Sequence, residues 1–295
     1  MASVLLKKKT KAFIRICRPW WLLVYLPIFL GSMFITRTSI PPYDITILGI
    51  IALILGKSGA SAINDFFDYD IDKESHPERA IPSGILNRKE VFVFASILTL
   101  ISLLLAITIS FRISKIKVFL VVLSCFVTAF LHFGKIKRLQ IPMISVVGTA
   151  SLAGIVSLGG YVIGNDSVAV GLLLFAMVFI WDLAHDTCSS IRDEKGDNIG
   201  GVLTPSNLFG AKVSSQLSLA FFFISYFLAF LLGYLTQLGM AYYLILLISG
   251  GFCLIRFIYL LKDQNNYNKA FTALSIYMAT LFIAVCVIKI SVFIE

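Results

Sequence analysis

Apolar residues run along this chain in long blocks, and the polar residues collect in the short gaps between them. A helix that crosses a bilayer needs about 20 predominantly apolar residues. Blocks of that order predict nine spans, at roughly 20–38, 45–63, 91–111, 117–133, 141–162, 168–186, 213–235, 240–261 and 270–292. The first block does not read as a secretory signal: it is too long, Pro27 interrupts it, and no small-residue cleavage site follows.

Composition agrees with the pattern. A soluble domain averages about 45–50% apolar and about 25% charged residues; here the hydrophobic share is 58% and the charged share 14%. Lipid must be the main solvent. The fold class expected is all-α, a multi-pass membrane protein with one domain over residues 1–295, since no low-complexity stretch or long linker divides it. An aspartate-rich segment follows span two and another follows span six, each leading through a glycine-containing polar stretch into a new span. This faint duplication suggests two weakly similar four-helix halves plus a ninth helix.

The net charge of +9 comes from basic residues in the gaps and not from a basic domain, so the bilayer and not nucleic acid is the expected partner. Lys7, Lys8, Lys9, Lys11, Arg15 and Arg18 precede span one, and Lys73, Arg79, Arg88 and Lys89 follow span two. Lys135, Lys137 and Arg138 follow span four, while Arg192, Lys195 and Lys212 separate spans six and seven. By the positive-inside rule the N-terminus and both aspartate segments face the cytoplasm and the C-terminus lies outside. Arg112 and Lys115 weaken this asymmetry without reversing it. Five dispersed cysteines without a C-x-x-C spacing support neither disulfides nor zinc. The histidines His76, His132 and His185 are too scattered in sequence for a metal cluster, and His132 and His185 read as helix-end polar residues more than as bases.

The informative residues are acids at the ends of apolar helices. Asn64, Asp65, Asp68 and Asp72 fall within about 100° of arc at 100° per residue, with Asp70 pointing elsewhere. One aspartate at the centre of a bilayer helix costs about 2.5–3.5 kcal/mol on insertion scales, so such a face needs a cation. Carboxylate and amide oxygens suit hard cations, and Mg²⁺ typically combines one or two carboxylates with substrate phosphates and water. In the second segment Asp182, Asp186, Asp193 and Asp197 share about 60° of arc if the helix is continuous. The outer pair would stand about 22 Å apart, too far for all four to meet one metal cluster. Gly196, Gly200 and Gly201 predict that the helix ends nearby. Two acidic faces in one bundle suit a diphosphate held by Mg²⁺, whose departure would leave an allylic cation in a dry, apolar chamber.

At these residues the chain resembles the UbiA superfamily of membrane prenyltransferases. Asn64 to Asp72 resembles its N-D-x-x-D-x-x-x-D signature, and Asp193-Glu194-Lys195-Gly196-Asp197 its second D-x-x-x-D. Arg79-Ala80-Ile81-Pro82-Ser83-Gly84 resembles the R-P-I-P-S-G stretch that follows the first motif, with Ala80 in place of proline. The resemblance covers most of the chain from Arg18 to Gly210. It implies a nine-helix bundle around a central cavity with a cytosolic cap, in the cell membrane of a prokaryote with its active site toward the cytoplasm. It implies that Asn64, Asp68, Asp72, Asp193 and Asp197 act through Mg²⁺ on a prenyl diphosphate donor, with Asp65 in support. Among the basic residues that follow span four, where the family meets the diphosphate, stand Lys135, Lys137 and Arg138.

Other residues stay open between two roles. Arg18 is either a diphosphate ligand or a topogenic charge beside Trp20 and Trp21. Lys57 lies seven residues before Asn64 on the same face, where it either pairs with the acids or reaches phosphate; Gly56-Lys57-Ser58 is not a P-loop, because Ile51 stands where its first glycine belongs. Arg79 belongs to the donor-binding set. Asp193 and Asp197 are assigned to the metal. Asp186, resembling an acid of the quinone-type branch, sits deeper, to orient the acceptor or take its proton, and Asp182 serves a buried polar neighbour. The expected reaction is prenyl transfer to an aromatic quinone precursor such as a hydroxybenzoate, a small lipophilic or aromatic acceptor. The alternatives are a glycerol phosphate lipid acceptor, cyclisation, or a secondary transporter, the last disfavoured because transporter sites lie at the midplane.

Overall fold

The computed structural model describes residues 2–294 of the chain; Met1 and Glu295 lie outside the described residues. Two helices open the chain, α1 (Ala2–Ile16) and α2 (Leu22–Phe34), followed by α3 (Tyr43–Phe67), the short α4 (Tyr69–Ser75), α5 (Arg88–Arg112) and α6 (Lys117–Gly134). Then come α7 (Ile144–Gly164), α8 (Val168–Ile199), α9 (Pro205–Leu235), α10 (Gly239–Lys262) and α11 (Tyr267–Ile294). No strand occurs among the described residues. Among the described residues nine stretches are long and apolar enough to cross a membrane, the first formed by the end of α1 together with α2. All nine expected spans are therefore present.

Two boundaries differ from the apolar pattern, each for a physical reason. Helix α8 continues thirteen residues past the predicted end of its span, to Ile199. Hydropathy marks where the apolar run ends and not where helical hydrogen bonding ends, and this extension carries Asp193 and Asp197. Helix α9 begins at Pro205, a residue suited to a first helical turn, and Gly210 at φ 79° interrupts it before the apolar run starts.

The core between α8 and α9 holds the site in place. Trp181 is fully buried, and its Nε1–H donates to the Leu274 carbonyl at 2.9 Å, which turns that face of α8 toward α11. Small buried serines on α9 let its backbone approach α8: Ser218 donates to the Ala184 carbonyl at 2.6 Å and Ser225 to the Met177 carbonyl at 3.0 Å. With that face packed, the opposite face, carrying Asp182, Asp186, Asp193 and Asp197, lines the central cavity.

The chain turns tightly at the end of the bundle away from the acids. Asn165 donates to the carbonyls of Ser32, Met33 and Tyr161 at 3.1–3.2 Å and accepts from Thr36. Helix α2 crosses α7 so closely that a Cβ on Gly160 would collide with the Phe29 carbonyl. At the acid-bearing end an Asn87–Glu90 capping box starts α5, and Lys9 of α1 reaches Glu90 at 2.5 Å, tying the amphipathic first helix to the bundle.

Candidate active site

A cavity of about 740 Å³ opens among the acids and runs down between α2, α3, α6, α7 and α8. Asn64, Asp68, Asp72, Asp193 and Asp197 stand at its mouth, and Phe29, Gly49, Ile109, Val118 and Ile163 line its far end. It has a charged head and a long apolar body.

The first motif keeps one face although its helix bends. Asp68 has non-helical dihedrals (φ −84°, ψ 4°), yet its N–H still donates to the Asn64 carbonyl at 2.9 Å, and the Asp72 N–H donates to the Asp68 carbonyl at 2.8 Å. Helix α4 then packs on the end of α8 through Ile71, which lies so close to Gly200 that a Cβ there would come within 2.6 Å of its Cγ1. That contact brings the two acidic segments to one mouth.

Each buried acid of the first motif meets a cation. Asp68 pairs with Lys137, both buried. Asp72 accepts from Arg79 at 2.6 Å. Burial pushes the Asp72 carboxyl up from its ordinary value, against the pull of Arg79, and the charges of Asp68 and Asp65 push the same way. Burial also works against the Arg79 charge, but its bond to Asp72 outweighs this and holds the guanidinium above its ordinary value. On α8, Arg192 grips Asp193 with two bonds, Nε at 2.7 Å and Nη2 at 2.6 Å, a fork geometry suited to carboxylate and phosphate alike. Asp197 lies within electrostatic reach of Lys137 and Asp68.

The structure separates the expected site residues into two groups. Asn64, Asp68, Asp72, Asp193, Asp197, Asp186, Arg18, Lys57, Arg79 and Lys137 line the cavity. Asp65 does not line it: its carboxylate accepts from Arg18 at 2.6 Å and holds that residue at the rim. Arg18 adopts a left-handed backbone conformation (φ 49°, ψ 58°), which costs about 1–2 kcal/mol and directs the side chain to Asp65. Lys135 is exposed and away from the cavity. Arg138 donates to the Phe67 carbonyl at 2.5 Å, a cation on the open C-terminal end of α3. The expectation for the run after span four thus narrows to Lys137, because the short helical turn Ile136–Arg138 sends adjacent side chains in different directions.

Among the described residues no carboxylate lies within ion-pair distance of Lys57; its ammonium lies 4.8 Å from the Tyr25 ring centre and 5.9 Å from that of Trp21. Sequence reasoning underrated Arg192 and His185. Arg192 stood among the gap charges, although its place beside Asp193 was visible. His185 lies three residues after Asp182 and one before Asp186, and the fold gathers ligand atoms of all three within 4.8 Å of one another. The scattering of the histidines had hidden a cluster completed by aspartates.

Carboxylates and cations around the mouth of an apolar intramembrane chamber define a membrane protein built for an amphiphile with an anionic head. The chain belongs to the UbiA prenyltransferase family, whose sequence model matches residues 24–285. Among its relatives is a digeranylgeranylglyceryl phosphate synthase of Thermococcus gammatolerans, 30% identical over 277 residues, 93% of this chain and 96% of the relative. Another is a 4-hydroxybenzoate octaprenyltransferase of Vibrio atlanticus, 28% identical over 259 residues, 83% of this chain and 86% of the relative. Among solved structures, a UbiA homologue from Archaeoglobus fulgidus bound to GPP and Mg²⁺ superposes with a TM-score of 0.71 at 17% identity, over 96% of this chain and 100% of that one. The chain is thus an integral membrane prenyltransferase by family.

Proposed function

We propose that this chain transfers a prenyl group from a prenyl diphosphate to a free hydroxyl of a glyceryl phosphate lipid, with Mg²⁺ at the cavity mouth. The observation that carries the donor half is the mouth itself, where two acidic segments and the cations Lys137, Arg79 and Arg192 surround one opening into an apolar chamber. The donor set fits Mg²⁺: Asp68, Asp72, Asp193 and Asp197 with Asn64 offer the oxygen ligands that suit a hard cation. When bound, Mg²⁺ supplies neutralisation of the charge that develops on the leaving diphosphate.

The protein does the rest. The pairs Asp68–Lys137, Asp72–Arg79 and Asp193–Arg192 open as the acids take up ligand, which frees three cations for phosphate oxygens. The allylic C–O bond breaks with its electron pair on the diphosphate. The apolar wall excludes water from the resulting cation, and the prenyl tail lies along the chamber toward Gly49. The mouth faces the cytoplasm in this reading, which the basic gaps support.

The acceptor moves from the aromatic precursor expected from sequence to the glyceryl phosphate lipid. The Thermococcus synthase is more similar and matches more of the chain than the hydroxybenzoate enzyme. A product with two prenyl ethers on glyceryl phosphate requires an acceptor with one ether and one free hydroxyl. Purified protein, Mg²⁺ and labelled geranylgeranyl diphosphate, offered geranylgeranylglyceryl phosphate and 4-hydroxybenzoate together, tests this. Label is expected in the glyceryl phosphate product; label in the phenol alone would overturn the acceptor, and no Mg²⁺-dependent donor consumption would overturn the whole reading.

A further inference from the structure

A second concavity lies on the outside of the bundle and shares no lining residue with the catalytic cavity. Phe13 of α1 forms one side of it, and Lys89, Val93, Phe94 and Ile97 of α5 form the other. The rings of Phe13 and Phe94 meet at 4.7 Å between centroids, so the groove is the angle between two helices in contact. Val93 and Ile97 each keep over half of their surface exposed.

The order of residues on the two helices accounts for this shape. At 100° per residue Lys89, Val93, Ile97 and the exposed Leu100 share about 80° of α5 and extend over about 16 Å of its axis. That is close to one leaflet's share of a hydrocarbon core about 30 Å thick. A cation thus heads an apolar strip one leaflet long. On α1 the exposed Leu6 lies two turns before Phe13 on the same face, while Lys7, Lys8, Lys11 and Arg15 fall within about 100° on the opposite face. A helix so divided lies in the membrane interface, with its apolar face toward the acyl chains.

The head of the groove carries more positive charge than the protein itself neutralises. Among the described residues Glu90 is the one acid that lines it, and Lys9 takes that carboxylate at 2.5 Å. Arg88 is turned the other way, its guanidinium 4.9 Å from the Phe66 ring centre and 5.1 Å from that of Tyr69. Lys89 is exposed, and among the described residues no carboxylate lies within ion-pair distance of it. Acyl chains cover any apolar face in a bilayer whatever their head group. A groove of one leaflet's length with an excess cation at its head discriminates by the head.

We infer that this groove binds one anionic phospholipid of the leaflet on the acid-bearing side, with its phosphate at Lys89 and a chain along Val93 and Ile97. The bound lipid bears on the catalytic end through α1. Ala12 and Ile16 of that helix pack in one buried cluster with Ala62, Ile63 and Ile81, which flank the first acidic motif. Two residues past the end of α1 stands Arg18, which holds Asp65 at 2.6 Å. A lipid that fastens α1 to α5 steadies both contacts, so its occupancy should raise the Tm.

The test uses the purified full-length protein, delipidated in detergent and titrated with phosphatidylglycerol or with phosphatidylcholine of identical chains. Native mass spectrometry reads the lipids held per chain, and thermal unfolding reads their effect. The expected result is one phosphatidylglycerol per chain, bound about fivefold or more tighter than phosphatidylcholine, since a basic residue near the surface contributes about that factor. Phosphatidylglycerol should also give the larger rise in Tm. Lys89→Gln should abolish the preference and leave phosphatidylcholine binding unchanged. Ile97→Trp fills the groove without changing charge and should weaken both lipids. Both positions are exposed, so neither change disturbs the core. Lys262→Gln, at an exposed lysine in the last turn of α10, reports attraction to basic surface in general and should keep the wild-type preference. Equal affinity of the wild type for the two lipids would overturn the site, as would equal loss of preference in Lys89→Gln and Lys262→Gln. Unchanged lipid binding in Ile97→Trp would overturn it too, and so would self-association of the chain that this variant abolishes, which would give the groove to a second copy.

Discussion

Lys137→Met separates the two duties of the best-buried ion pair at the mouth. Asp68 and Lys137 each keep only 11% side-chain exposure, so solvent does little to screen them. Removing one partner of such a pair leaves an uncompensated charge and costs about 3–5 kcal/mol, whereas the same change in an exposed pair costs about 1 kcal/mol or less. Methionine keeps most of the lysine stem, so packing loss is small and the penalty is the stranded Asp68 carboxylate. With about 2–4 °C per kcal/mol for a large domain, the variant in chelator should melt roughly 6 °C or more below wild type. A divalent cation repairs that defect directly, because it neutralises Asp68 without first displacing an ammonium. Added Mg²⁺ should therefore raise the variant's Tm more than the wild type's, by RT ln(1 + [Mg²⁺]/Kd) with a smaller Kd. Turnover should still fall, since a phosphate ligand is lost. Thermal unfolding of purified protein in chelator and over a Mg²⁺ series reads both effects. An equal or smaller Mg²⁺ shift in Lys137→Met would refute the competition between lysine and metal for Asp68.

Other expectations follow from the same geometry. Asp193→Asn should weaken Mg²⁺ and prenyl diphosphate binding by calorimetric titration, while Asp186→Asn should leave both nearly intact and lower transfer; the reverse pattern would exchange their assignments. Gly200→Val drives a side chain into Ile71, so α4 should lift from α8 and the Mg²⁺ concentration for half-maximal activity should rise with the Tm little changed. A reporter fused to the C-terminus should read out as non-cytosolic, and a cytosolic signal would mean a miscounted span. At the far end Asp166 has its carboxyl pulled down to about 2 by Lys117 and Lys115. Its pairing therefore stabilises the fold above the ordinary carboxylate pKa of about 3.9 and is lost as pH falls through about 2, so the Tm gap between wild type and Asp166→Asn should close over that window and, because the pair is exposed, also in high salt.

The sequence carried the spans because bilayer crossing demands apolar length, and it carried Asn64, Asp68 and Asp72 because one helix supplies them all. It was poorer where helices meet. Asp65 shared the computed arc with Asp68, but only the fold shows that Arg18, forty-seven residues away, takes it out of the cavity. Lys135, Lys137 and Arg138 looked equivalent as a basic run, and a single short turn sends one to Asp68, one to a helix end and one to solvent. His185 seemed isolated because a pattern search for several histidines ignores aspartates one turn away. Its ring also meets Ser275 of α11, which no local reading could bring to α8.

The depth of the cavity has a consequence for how a lipid tail is measured. From Asp68 to Gly49, helix α3 advances nineteen residues, about 28 Å, close to the roughly 30 Å hydrocarbon thickness of a bilayer. A tail lying in the cavity therefore runs beside the membrane's own acyl chains and at the same depth. Moving it from lipid to protein exchanges one hydrocarbon neighbourhood for another, with little hydrophobic gain to discriminate one tail from the next. Selection must then come from the head at one end and from the floor at the other. There the Phe29 ring lies against Gly49, with Ile163 beside it. A bulkier residue at position 49 would raise that floor, and the bilayer would act as the ruler against which every accepted chain is cut short.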